Sequence, residues 1–151
     1  MQTRLLDNID GRRTFVVVLK TGDEVFHCLQ QFVDDNELSA AHLSAIGAFR
    51  SAELRYFDWD ARDYVSIPVD EQVEVASLNG DVALGPDGGR EIHVHAVLGR
   101  RDGSAVAGHL GRAEVRPTLE VIVTESPAHL HKLRDPDTGL ALIRPDVLVR
   151  F

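Results

Sequence analysis

Residues 89–125 read GREIHVHAVLGRRDGSAVAGHLGRAEVRPTLEVIVTE and contain three of the seven histidines in the chain. Val and Ile beside His93 and His95 favour a strand, and on a strand residues i and i+2 project from the same face. Asp102 and Gly103 then mark a turn, and a second apolar stretch follows that carries His109. These residues predict a β-hairpin with histidines on both of its strands.

The length of the turn decides whether His109 meets His95. A two-residue loop would turn His109 to the opposite face of the sheet. A three-residue loop over residues 101–103, with Gly103 in the left-handed conformation as a G1 bulge, instead makes His95 face His109. A metal site that uses both strands therefore requires the three-residue loop.

With that loop, His93, His95 and His109 form a predicted metal site. Directly opposed residues have Cβ atoms roughly 4.5–5.5 Å apart, close enough for the imidazoles to converge on one ion. Neutral imidazoles suit Zn²⁺, or another divalent metal, and three protein ligands with an open fourth position are typical of catalytic zinc. The same register puts Gly111 opposite His93. The alternative is that His93 and His95 are only the polar, solvent-facing side of a sheet.

Length and composition limit the class of protein. At 151 residues and 44% hydrophobic content, the chain is expected to be a single soluble domain over residues 1–151. Cys28 is the only cysteine, so a metal site must use nitrogen and oxygen ligands. The longest early apolar run, residues 15–19, is too short for a signal core or a membrane span. We therefore expect a cytoplasmic protein with no membrane contact.

The order of the other elements follows from periodicity. Residues 14–19 are β-branched and predict a buried strand, and apolar residues from Val25 to Val33 recur at helical spacing. Alternating residues 52–57 and 64–67 predict a hairpin. A further strand over residues 73–78 is expected to close at the turn residues 79–81, and residues 118–124 give the strongest strand prediction.

Three more polar residues are candidates to support the metal ligands. Glu74 lies in an apolar strand and either reaches the site or faces water. Glu120 lies among Leu, Val and Ile, where a carboxylate needs an Arg partner or a ligand histidine to hydrogen-bond. His42 is a further candidate, as a supporting group or a fourth ligand, although a lone histidine among alanines is more often a packed or surface residue.

Eight short motifs occur in a fixed order along nearly the whole chain. They are Gly22-Asp23-Glu24, Ile46-Gly47-Ala48, Glu74-Val75, Leu78-Asn79-Gly80, His93-Val94-His95, Asp102-Gly103, Gly108-His109-Leu110 and Thr118-Leu119-Glu120. The set resembles the PPC (plant and prokaryote conserved) domain. That resemblance implies an α/β (α+β) fold, in which a mainly antiparallel, twisted sheet is packed by one main helix, and it implies a homotrimer. The fold is also similar to that of acetolactate decarboxylase, whose zinc is held by a similar His-x-His and a later His.

The resemblance is compatible with two different functions. Plant relatives carry an AT-hook, and prokaryotic relatives are often described as DNA-binding, but this chain has no hook and a net charge of −8. Direct DNA binding is therefore disfavoured, because the field of an acidic protein repels nucleic acid. The first prediction is a stand-alone bacterial protein with a three-histidine divalent metal (zinc) site that binds or processes a small oxygen-rich ligand. The alternative is a non-enzymatic, oligomeric DNA-binding or transcription-regulatory module.

Overall fold

The structure, a computed structural model, describes residues 1–146 and places nearly all of them in strands, turns and one helix. The elements, in chain order, are β1 (Gln2–Ile9), β2 (Arg12–Lys20), α1 (Val25–Asp35), β3 (Ala40–Asp58), β4 (Asp63–Val69), β5 (Val73–Leu84), β6 (Arg90–Gly99), β7 (Ala105–Glu125), β8 (Lys132–Arg134) and β9 (Ala141–Ile143).

Four of the strands pair in a closed ring. β7 pairs with β6, β6 with β5, β5 with β3, and β3 with β7, all antiparallel. These four strands form a ring, to which β2 and β1 are added beyond β7, and β4 beyond β3. The short β8 and β9 form a separate two-stranded sheet. The predicted histidine hairpin is thus β6 and the first part of β7.

Side-chain alternation separates the inside of the ring from the outside. Val94, Ala96 and Leu98 on β6 are at most 2% exposed and join the core. Because successive side chains on a strand point to opposite faces, His93 and His95 lie on the outer face. The apolar core and the histidines therefore share one strand without competing for space.

Helix α1 packs over the core against β6 and β7 and reaches β2 through Phe15. Its buried residues include Val25, Leu29 and Phe32, and the Phe32 ring meets Phe15 edge to face with centroids 5.2 Å apart. The helix begins where the Glu24 carboxylate accepts the backbone N–H of His27 at 2.7 Å, which satisfies a donor that the first turn leaves free. No helix within residues 1–146 is long and apolar enough to cross a membrane.

The α/β class predicted from the sequence is wrong. The fold is 64% strand, and α1, with 11 residues, is the only helix among residues 1–146. An α/β fold needs repeated helical crossovers between parallel strands, whereas here the ring strands are antiparallel. The fold is a β-rich one with a single packed helix.

Candidate metal centre

The turn between β6 and β7 has the three-residue form that a shared site requires. The Arg100 N–H donates to the Ser104 carbonyl at 2.8 Å, and the Gly103 N–H donates to the Arg100 carbonyl at 3.0 Å. Gly103 has a φ of 83°, as a G1 bulge demands. The Asp102 carboxylate accepts the Ser104 N–H at 2.9 Å and the Ser104 hydroxyl at 2.6 Å. The register that follows pairs His95 with His109, as predicted.

The three histidines form one compact cluster. Their ligand atoms, one per residue, lie within 4.8 Å of one another. Ring centroids are 5.1 Å apart for His93 and His95, 5.1 Å for His93 and His109, and 5.4 Å for His95 and His109. His93 and His109 are half-buried and His95 is exposed. The cluster therefore opens to solvent on the outer face of the ring.

Both strands beside β7 position His109. Its backbone pairs with His95 on one side and with Arg55 on the other, and the pairing between β6 and β7 ends there. Gly111 therefore does not face His93, contrary to the prediction, because beyond His109 the β7 strand pairs with β3 and no longer with β6. A Cβ at Gly111 would lie 2.6 Å from Nε of Arg55 and 2.9 Å from Oε1 of Glu53.

The electrostatics favour the neutral form of two of the ligands, His95 and His109, at physiological pH. Burial, and then the neighbouring His93 and His95 rings, lower the pKa of His109 to about 4. Burial and His93 also lower the pKa of His95. Nδ1 of His109 is buried and has no hydrogen-bond partner, which is unusual for a buried polar atom. Neutral imidazole nitrogens without competing protons are the donor set that a divalent transition metal needs, so these residues fit such an ion.

Asp81 on β5 supports His93. The two residues pair across β5 and β6, and Nδ1 of His93 lies 3.5 Å from Oδ2 of Asp81. Burial raises the pKa of Asp81, but the His93 ring and the Lys132 ammonium lower it by more, so its pKa is below the usual value. A carboxylate beside Nδ1 favours the tautomer that leaves Nε2 of His93 as a metal donor.

A pocket adjoins the cluster. It has a volume of about 220 Å³, and its lining combines His93 and His109 with residues of the β8–β9 hairpin and one ring from β4. The Tyr64 ring lies 5.1 Å from the His109 ring, centroid to centroid. The lining residues are Tyr64, Ile92, His93, His109, Lys132, Leu140, Ala141 and Leu142.

The other sequence candidates lie outside the cluster. Glu74 and Glu120 are exposed and line a different surface depression beside Ile46. His42 is exposed and pairs with Asp81 across β3 and β5, on the far side of Asp81 from His93. Among residues 1–146, no hydrogen bond or ion pair joins Glu74, Glu120 or His42 to the three histidines.

Asp81, Lys132 and Tyr64 are the residues near the cluster that the sequence interpretation missed. Asp81 was assigned to a turn, although a β5 that continued through Gly80 would have placed it opposite His93. Lys132 and Tyr64 reach the site from elements distant in the sequence, and no local pattern marks them.

The fold and the site define a class: a β-rich domain whose four-strand ring carries a three-histidine cluster on its outer face. Residues 7–127 match the Plants and Prokaryotes Conserved (PCC) domain, and the chain belongs to this family. The match confirms the resemblance seen in the sequence motifs. A comparison with curated proteins finds no match.

Solved structures share the fold over nearly the whole chain. A metal-containing protein from Archaeoglobus fulgidus is 33% identical with a TM-score of 0.80, covering 95% of this chain and 96% of that one. A PPC protein from Pyrococcus horikoshii is 28% identical with a TM-score of 0.82, covering 90% and 94%. A putative DNA-binding protein from Bacteroides thetaiotaomicron is 25% identical with a TM-score of 0.83, covering 91% and 94%.

Proposed function

We propose that this protein binds one divalent metal ion, zinc in the first place, through His93, His95 and His109. The observation that carries the proposal is the convergence of three imidazoles on opposed strands, with ligand atoms within 4.8 Å of one another. The metal-containing relative from Archaeoglobus fulgidus supports it. Three nitrogen ligands leave a coordination position for a small oxygen-rich ligand, and a bound ion would supply Lewis acidity there.

Asp81 and the pairing of β6 with β7 hold the metal ligands in position. Asp81 orients His93, and the pairing of β6 with β7 fixes His95 against His109. The Asp81 carboxylate also adds a negative charge that favours a cation nearby. Because the rings are held by strands rather than by a loop, little ordering is needed when the ion binds.

Zinc titration of the metal-free protein tests the proposal. We expect one ion per chain in the wild type, and affinity lowered at least ~100-fold in His109→Ala, because a ligand is lost. His27→Ala is the matched control, since His27 is an exposed histidine on α1, and it should bind as the wild type does. Equal zinc affinity in His109→Ala and His27→Ala would refute the site.

Replacing Asp81 tests its role separately. Asp81→Asn keeps the shape of the side chain but removes the charge beside His93. Supporting residues of metal ligands typically contribute ~10–100-fold in affinity, so we expect a loss in that range with one ion per chain retained. Unchanged affinity would show that Asp81 does not orient His93.

The second candidate function is a DNA-binding or transcription-regulatory module. The putative DNA-binding relative from Bacteroides thetaiotaomicron favours it, whereas the net charge of −8 argues against direct contact with DNA. A gel-shift assay at low and at raised salt separates the two functions. Salt-sensitive retardation of DNA by the wild type would support this candidate.

We also propose that the protein forms a homotrimer, as the family resemblance implies. The support from the structure is exposed apolar surface: every residue of β1 is exposed, and Leu6 and Ile9 on it are 53% and 61% exposed. Apolar surface of this kind often marks an interface. Light scattering should give three times the 16.7 kDa mass of one chain, and a monomer mass would refute the proposal.

A further inference from the structure

Lys132 is the one polar or charged residue classed as buried within residues 1–146, at 4% exposed. Lysine is almost never fully buried unless it is paired, because an ammonium loses its hydration inside a protein. Its Nζ lies 3.3 Å from Oδ1 of Asp81 and 4.0 Å from Oε2 of Glu91. An ammonium has three N–H donors, so these two carboxylates leave it capacity for a further acceptor.

The pocket beside the histidines brings Lys132 and an apolar wall together. Its lining includes the polar side chains of Lys132, His93 and His109. It also includes the apolar side chains of Ile92, Leu140 and Leu142. Its volume of about 220 Å³ equals roughly seven water molecules at ~30 Å³ each. The pocket therefore has room for a molecule of a few heavy atoms that combines a polar group with an apolar one.

We propose that this pocket binds a small carboxylate with a short apolar chain, and that Lys132 donates to the carboxylate. This inference rests on the proposed metal site for its electrostatics. Lys132, Asp81 and Glu91 together carry one net negative charge, which repels an anion, and a divalent ion at the three histidines reverses that sign. The apolar chain packs against Ile92, Leu140 and Leu142.

The probes are isovalerate, its neutral analogue isovaleramide, and acetate, which has almost no apolar chain. Lys20 and Lys132 are the only lysines in the chain, so protein labelled with ¹⁵N-lysine gives just two lysine backbone amide signals. In the zinc-loaded wild type, isovalerate should shift the Lys132 signal and leave that of the exposed Lys20 in place. Isovaleramide and acetate should bind more weakly than isovalerate.

Calorimetry with variants tests the role of the ammonium. Lys132→Met should weaken isovalerate binding ~10-fold or more, the loss expected for one charge-assisted hydrogen bond. Lys20→Met is the matched control and should bind normally. Because Lys132→Met leaves two carboxylates unpaired and can unfold the protein, Lys132→Arg serves as the second variant. It keeps the charge and should retain most of the binding.

The outcomes separate this inference from the metal proposal. Zinc binding without a Lys132 shift, or with equal affinity for isovalerate and isovaleramide, overturns the carboxylate pocket and leaves the metal site standing. No zinc binding, with isovalerate still shifting the Lys132 signal, overturns the metal site and the electrostatic role given to it, and keeps the carboxylate pocket. If neither zinc nor isovalerate binds, both proposals fail.

Discussion

Gly80 allows β5 and β6 to approach each other beside the metal ligands, and Gly80→Ala tests how tight that approach is. A Cβ at this position would overlap the His93 carbonyl oxygen and lie 2.7 Å from Cα of Val94. These are backbone atoms that cannot rotate away, so the strands must separate by more than 1 Å to restore ordinary contact distances of ~3.5 Å. The ladder between Gly80 and Val94 would then be disturbed.

This steric overlap determines how much unfolding free energy Gly80→Ala loses. Overpacking costs about 1–3 kcal/mol, and weakening one or two ladder hydrogen bonds adds ~1 kcal/mol each. Replacing glycine in a strand returns only ~0.5–1 kcal/mol. We expect the free energy of unfolding to fall by ~3 kcal/mol, which lowers Tm by roughly 6–12 °C in a chain of this size.

Urea and thermal unfolding of the metal-free protein measure the change. Gly99→Ala is the matched control, because a Cβ there meets nothing closer than 3.9 Å. Its stability should stay within ~0.5 kcal/mol of the wild type or rise slightly. If Gly80→Ala also unfolds within ~0.5 kcal/mol of the wild type, the close approach described here is wrong. Zinc affinity should fall in Gly80→Ala and not in Gly99→Ala.

Three further predictions concern the turn, the pH dependence and a half-buried ion pair. Gly103→Ala should cost ~1–2 kcal/mol of unfolding free energy, since its φ of 83° is strained for any side chain, and the loss should appear in urea unfolding. The backbone N–H of Lys20 and then the terminal ammonium lower the pKa of Asp23 below its usual value. The stabilisation is therefore full above the unfolded pKa of ~3.9 and is lost as the pH falls through the lower folded value. Asp23→Asn should accordingly be less stable than the wild type at pH 7, with the difference shrinking towards pH 3. Arg13 donates from two nitrogens to Glu125, at 2.5 and 2.7 Å, so Arg13→Lys should lower stability by ~1 kcal/mol, and an unchanged Tm would contradict this.

The hairpin could be predicted from sequence because its turn chemistry and its side-chain parity are local. Asp102-Gly103 and the spacing of His95 and His109 are enough to choose the three-residue loop once a shared site is assumed. The same reasoning also located the helix from Val25 onwards. These elements depend on neighbours within about fifteen residues, which a single sequence displays.

The parts of the fold and of the site that could not be predicted from the sequence depend on contacts between strands distant in the sequence. Residues 79–81 have turn composition, yet β5 continues through them because β6 covers Gly80 closely. The expected end of that strand was therefore wrong, and Asp81 was missed. β3 likewise runs unbroken from Ala40 to Asp58, since tertiary pairing with β5 and β7 holds it extended. Lys132 enters the site only through the β8–β9 hairpin.

The junction at His109 has a mechanical consequence. β6 and β7 part at this residue, so the pairing of His95 with His109 is the last link on that side of the ring. An ion held by both histidines would fasten the ring at the place where it would otherwise begin to open. A bound metal ion would then slow the opening of the ring. Amide protons at the end of the β6–β7 pairing would exchange more slowly when zinc is present.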